Sequence, residues 1–288
     1  MNGITKTARA FVPSHITGFF AAHRQEEPRL SGSVGCGLCL SLGATTTIES
    51  APEIHDTEIY LNGVLSQASV SRYVVERLAK APVLVKTDLQ MPLGAGFGAS
   101  GAGALGCAYA LNSHFNLGLT ANGAAAVAHE AEVTFRTGLG DVIAQNAGGL
   151  VVRLQPGAPG TGRIDRIPVP TMPISYVVHG PLSTSQVLSD ELVMTAVNAA
   201  GKAALKELLK RPTFTNFLQL SRRFTVQSGL ASDWALEAIE AVEAAGGLSS
   251  MIMLGDAVFA FGGGSAEALK SFGEVHTTTI SQRGANLD

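Results

Sequence analysis

An α+β fold in two halves is what this sequence predicts, and three observations carry the expectation. β-branched runs crowd the first third of the 288 residues, helical spacing dominates residues 187–245, and no strict strand–helix alternation links the two. The turn formers Pro156-Gly157-Ala158-Pro159-Gly160-Thr161-Gly162 mark a boundary, which divides the chain into residues 1–160 and 161–288. A hydrophobic content of 46% is enough for one large core or two ordinary ones.

Taken in order, residues 8–20 open as a strand that Pro13 interrupts. Residues 31–42 and 43–49 read as two strands, the first rich in glycine, the second carrying Thr45-Thr46-Thr47-Ile48. Asn62-Gly63, between Glu58-Ile59-Tyr60-Leu61 and Val64-Leu65, signals a two-residue hairpin. Val74, Val75 and Leu78 give residues 70–79 helical spacing, and residues 83–87 are β-branched like a strand. A glycine-rich loop follows, then a Pro-free helix over 104–111. Residues 121–134 form an alanine-rich helix capped by Thr120, and Thr137-Gly138-Leu139-Gly140-Asp141 ends it. Residues 149–154 and 174–178 read as strands, 187–210 and 214–228 as helices, and 233–245 as an amphipathic helix opened by Ser232. Paired strands over 251–254 and 258–261, a helix over 265–272 and a strand over 275–280 complete the chain.

Composition excludes several classes of function. With 20 basic and 23 acidic residues the net charge is -3, so no global field favours nucleic acid or an acidic membrane, and an anionic ligand must be held locally. Residues 93–111 are nearly uncharged, but their apolarity comes from Gly and Ala, too weakly hydrophobic for a membrane span. Residues 1–15 carry no long apolar run, which argues against a signal peptide and for the cytoplasm. Cys36, Cys39 and Cys107 include one Cys-x-x-Cys but neither a second pair nor histidines in metal spacing, so they read as buried reduced thiols.

The chemistry centres on Met91-Pro92-Leu93-Gly94-Ala95-Gly96-Phe97-Gly98-Ala99-Ser100-Gly101-Ala102-Gly103. It lies between a strand and a helix, where glycines admit a bulky anion and the helix's first amides point outward unpaired. Gly96-x-Gly98-x-x-Gly101 fits a dinucleotide fingerprint, but the acidic residue needed about twenty positions later is missing. No Gly-Lys-Ser/Thr follows, which removes the Walker A reading, and protein-kinase signatures are absent. What is left is Pro-x-Gly-x-Gly-x-Gly-x-Ser, whose serine could ligate Mg²⁺ while neighbouring amides hold phosphate.

That pattern resembles the phosphate loop of the GHMP kinase superfamily, Pro-x-Gly-x-Gly-x-Gly-Ser-Ser, with Ala99 in place of the first serine. Pro13-Ser14-His15 corresponds to the superfamily's first motif and Leu254-Gly255-Asp256-Ala257-Val258 loosely to its third. Five blocks narrow the resemblance to the archaeal pantoate kinases: Pro13 to Phe20, Gly32 to Gly37, Ala128 to Val133, Thr137 to Val142 and Gly180 to Thr184. The resemblance implies two lobes with a nucleotide cleft between them, and transfer of phosphate from ATP to the 4-hydroxyl of pantoate on the route to coenzyme A.

It also implies roles. Pro92, Gly94, Ala95, Gly96, Phe97, Gly98, Ala99 and Ser100 would bind ATP; Ser100 and Glu132 would hold Mg²⁺; Asp141 would face the acceptor hydroxyl as base or orienting group. Ser33, His129, Arg153 and Thr184, with His15, would contact pantoate. Arg153 has independent support, since a carboxylate substrate suits a guanidinium fork. Glu130 is expected to point into solvent. His15 stands where some members carry a lysine near the aspartate, as it does in the pantoate kinases. The expected ligands are ATP, Mg²⁺ and a small hydroxy acid, without nucleic acid or membrane, in a monomer or homodimer. Two alternatives stay open: a GHMP kinase for another hydroxylated acid or alcohol, and a non-catalytic ligand sensor on the same fold.

Overall fold

The computed structural model describes residues 6–181 and 191–288. Two long antiparallel strands form its spine, β1 (Lys6–His23) and β2 (Gly32–Ser50), paired along nearly their whole length. Pro13 does not end β1. The ladder slips there instead, Pro13 facing Gly43 and Ser14 facing Leu40, so the break expected in both strands is one bulge inside a continuous pair.

β2 serves two further partners. Its later half pairs with β5 (Leu84–Leu89) and its first half with β6 (Leu150–Gln155), both antiparallel. β3 (Glu58–Leu61) runs parallel to β5 and turns back into β4 (Val64–Leu65) through Asn62 and Gly63, at φ 48° and 78°, the left-handed pair this hairpin requires. Two strands not foreseen complete an eight-stranded sheet: β7 (Arg163–Ile167) beside β6, and β12 (Asn286–Leu287) beside the start of β1. The turn formers 156–162 therefore link β6 to β7 within one sheet. A second, four-stranded antiparallel sheet has the order β11 (His276–Thr279), β8 (Pro173–Gly180), β10 (Asp256–Phe261), β9 (Leu248–Met251).

Helices α1 (Ser69–Leu78), α2 (Ala99–Phe115) and α3 (Ala121–Phe135) pack together, with α2 lying on β1 and β2. The Gly and Ala of α2 permit that approach: a Cβ on Gly106 would come within 2.5 Å of Thr46 Oγ1. The apolar stretch at 93–111 thus serves close helix–sheet packing, and among the described residues no helix is long and apolar enough to cross a membrane. Thr120 caps α3 by accepting from the Gly123 amide, as its sequence predicts.

The later half of β1 packs on α5 (Glu191–Lys210) and α6 (Phe214–Ser228). Phe19 lies between Phe217 and Phe224, at 6.2 and 6.5 Å between ring centroids, and each such buried ring contributes about 2–3 kcal/mol. α7 (Asp233–Ala244), capped by Ser232, and α8 (Ser265–Leu269) flank the second sheet. All three thiols are buried, and burial pushes those of Cys39 and Cys107 up to about 12.

Candidate active site

Between β5 and α2 the glycine loop bends through three left-handed residues, Gly94, Gly96 and Gly98, at φ 72°, 82° and 66°. Gly98 is the N-cap of α2 and offers no side chain to its first amides, and the first turn holds no acidic residue. Those donors stay available to an anion. The turn at 252–255 braces the loop from behind: a Cβ on Gly96 would meet Met253 O at 2.6 Å, and one on Gly255 would meet the Ala95 carbonyl at 2.1 Å. Forming this turn starts β10 at Asp256 and ends β9 at Met251, so the first of the paired strands lies three residues earlier than its hydrophobic run suggests. Gln145 Nε2, from α4 (Asp141–Ala147), donates to Gly98 O at 2.9 Å.

Two carboxylates face this loop. Ser100 Oγ and Thr137 Oγ1 each donate to Glu132 Oε1 at 2.6 Å. Glu132 is buried, and burial, followed by the negative charge of Asp141, pushes its carboxyl up to about 7 against the pull of those two hydroxyls. Asp141 opens α4 and lines the cavity; its Oδ1 lies 2.7 Å from His15 Nδ1. The segment 137–141 can pass between these groups because it lacks side chains at two points. A Cβ on Gly138 would stand 2.1 Å from Glu132 Oε2, and one on Gly140 would stand 2.4 Å from Ser33 Oγ and 2.7 Å from Arg153 Nε.

A cavity of about 370 Å³ joins the glycine loop, Ser100 and Asp141 to Ser33 and Arg153. Arg153 comes from β6 and is almost wholly buried, yet its Nε has no hydrogen-bond partner. A buried guanidinium with a donor left over is costly unless an anion completes it, which suits a carboxylate ligand.

The other expected site residues are distributed differently. His129 is buried and donates from Nε2 to Ser31 O at 2.8 Å, away from the cavity lining. His15 is fully buried beneath Asp141 and does not line the cavity either. Thr184 lies outside the described residues. Glu130 does not point into solvent: it is buried and ion-paired with Arg29 and with Arg77, the latter at 3.4 Å, because α3 turns that side toward α1. Three residues of the site escaped sequence reasoning: Thr137, Gln145 and Arg136, which caps α3 in a left-handed conformation on the cavity rim. Thr137 opens the Thr-Gly-Leu-Gly-Asp turn and one of the five blocks of the resemblance; for Arg136 and Gln145 the sequence signal is proximity to that turn.

Residues 66–149 match the family model described as "GHMP kinases N terminal domain". The chain is similar to the pantoate kinase of Thermococcus kodakarensis, 40% identical over 262 residues that cover 88% of this chain and 86% of that protein. It is similar to the pantoate kinase of Methanospirillum hungatei, 35% identical over 282 residues, 96% and 94% of the two chains. A solved structure described as a phosphotransferase related to the CoA biosynthesis pathway superposes with a TM-score of 0.86 at 35% identity, covering 98% of each chain.

Proposed function

The chain belongs to the GHMP kinase family, and from its likeness to the family's pantoate kinases we propose that it phosphorylates pantoate with ATP, giving ADP and 4-phosphopantoate for coenzyme A synthesis. The observation that carries the acceptor half of this reading is Arg153, a buried cation that lines the same cavity as the glycine loop and Asp141. A hydroxy acid matches it at both ends, the carboxylate at the guanidinium and the hydroxyl at Asp141.

The chain's own groups divide the work. Amides of the loop and of the start of α2 hold the β- and γ-phosphates, and Ser33 and Arg153 orient the acid. Asp141 receives the hydrogen bond of the 4-hydroxyl as its oxygen approaches the γ-phosphorus. The proton passes to that carboxylate or to water as the new P–O bond forms and the bond from the γ-phosphorus to the β,γ-bridging oxygen breaks, releasing ADP. The Glu132 carboxylate and the Ser100 hydroxyl are hard oxygen donors on one buried spot, a set that fits Mg²⁺. Bound there, the ion would neutralise charge on the phosphates. His129 acts on the acceptor side through the Ser31 carbonyl, two residues from Ser33. ATP use and reduced buried thiols both suit the cytoplasm.

A coupled ADP-release assay with pantoate, mevalonate and homoserine tests the substrate. Turnover of pantoate alone is expected; turnover of either other acceptor without pantoate sinks the assignment. Asp141→Ala is expected to lose at least about 100-fold in kcat while ATP binding stays within threefold, and normal turnover would remove Asp141 from the mechanism.

A further inference from the structure

His15 touches three parts of the site, the glycine loop, Asp141 and Arg153, without reaching the cavity. Its backbone N–H donates to Phe97 O in the phosphate loop at 3.1 Å, its Nδ1 lies 2.7 Å from Asp141 Oδ1, and its Nε2 faces Arg153 Nη1 at 3.5 Å. The ring fills space that a side chain at residue 37 would need: a Cβ on Gly37 would come within 2.4 Å of Nε2.

These contacts determine its proton. A guanidinium can only donate, so the nitrogen facing Arg153 must carry a lone pair, and a carboxylate can only accept, so the nitrogen facing Asp141 must carry the hydrogen. Burial, the largest influence on His15, also favours the uncharged ring. Both ends select the same tautomer.

We propose that His15 is a positioning residue, an Nδ1–H imidazole that links Arg153 to Asp141, so that the group holding the substrate's carboxylate also sets the orientation of the group facing its hydroxyl. His15 occupies Oδ1 and leaves Oδ2, which accepts no hydrogen bond from the described residues, for the acceptor. A lysine at this place would add a charge; a neutral ring adds direction only. The link also favours an acceptor bearing an anion, since the fork that aligns His15 is itself aligned by that anion.

The proposal rests on the kinase reading for its effect on rate but not for the tautomer, so two measurements separate them. In the ligand-free protein labelled with ¹⁵N-histidine, a two-bond ¹H–¹⁵N correlation, assigned by the loss of a signal in His15→Asn, should report the Nδ1–H tautomer at pH 8. An Nε2–H or doubly protonated ring overturns the proposal whatever the substrate. In kinetics, on whichever acceptor the wild type uses, His15→Leu should lower kcat about 100-fold with the acceptor KM within threefold, as a misaligned catalytic group does. His15→Asn, whose amide N–H sits near the Nδ1 position, should recover kcat to within about fivefold of wild type, and His15→Gln, which reaches toward Nε2, should not. A His15→Leu variant that raises KM with kcat intact makes His15 a binding group and overturns the proposal. So does a His15→Asn variant that melts and binds ATP normally yet is as slow as His15→Leu.

Discussion

At the scale of single residues, the site combines a carboxyl that resists ionisation with glycines that cannot grow. Glu132 has a folded value of about 7 against 4.5 for the free side chain, so its burial costs nothing below pH 4.5, costs progressively more as pH rises, and costs fully above 7, on the order of 3 kcal/mol. Glu132→Gln keeps an oxygen for Ser100 and Thr137. Without ligands it should melt higher than wild type at pH 8, the gap closing toward pH 4.5, while kcat with Mg²⁺ falls at least about 100-fold. Equal melting at pH 8 would refute the cost. Gly140 is needed for room and not for its φ of -151°. Gly140→Ala should push Ser33 and Arg153 apart and raise the acceptor KM about tenfold or more, with the KM for ATP within threefold; unchanged acceptor KM would mean that neither side chain orients the acid.

At the scale of elements, the glycine loop does not stand by its own glycines. Its shape depends on two braces from elsewhere, the 252–255 turn and Gln145 of α4. Gly255→Ala places a methyl on the Ala95 carbonyl, where only backbone could yield, so a loss of about 1–3 kcal/mol in stability and a rise in the KM for ATP are expected together. Thermal melting with nucleotide titration checks both, and a stability loss with normal ATP binding would show that the turn supports the fold and not the loop. The helix over 104–111 was legible from its composition and Ser100 from its motif as the helix start; the helix begins at Ala99, where Gly98 ends the loop by conformation and offers no side-chain cap. Likewise Glu130 and Glu132 look alike two residues apart. Only the packing of α3 on α1 sends one to a pair of arginines and the other to Ser100 and Thr137.

At the scale of the whole molecule, β1 and β2 belong to both halves. Arg9 and Ala10 sit in the sheet that α2 covers, while Phe19 and Phe20 pack on α5 and α6, and the last strand, β12, returns to β1. The boundary read at residue 160 falls in a tight connection within a single sheet, because turn-forming residues report a reversal of the chain and not what the reversed strand pairs with.

From the sequence alone one could determine the mixed α+β character, the glycine loop with its serine between strand and helix, the hairpin at Asn62-Gly63 and the capped helix after Thr120. All are local: spacing, turn chemistry and motif order suffice for them. The resemblance already grouped Ser33, Arg153 and Asp141, which line one cavity; tertiary structure alone decided that His15 and His129 lie behind it, and that Thr137, Gln145 and the 252–255 turn pack around the site. Those relations join residues as far apart as 15 and 153, and strand pairing and burial, which no window of sequence contains, bring them together.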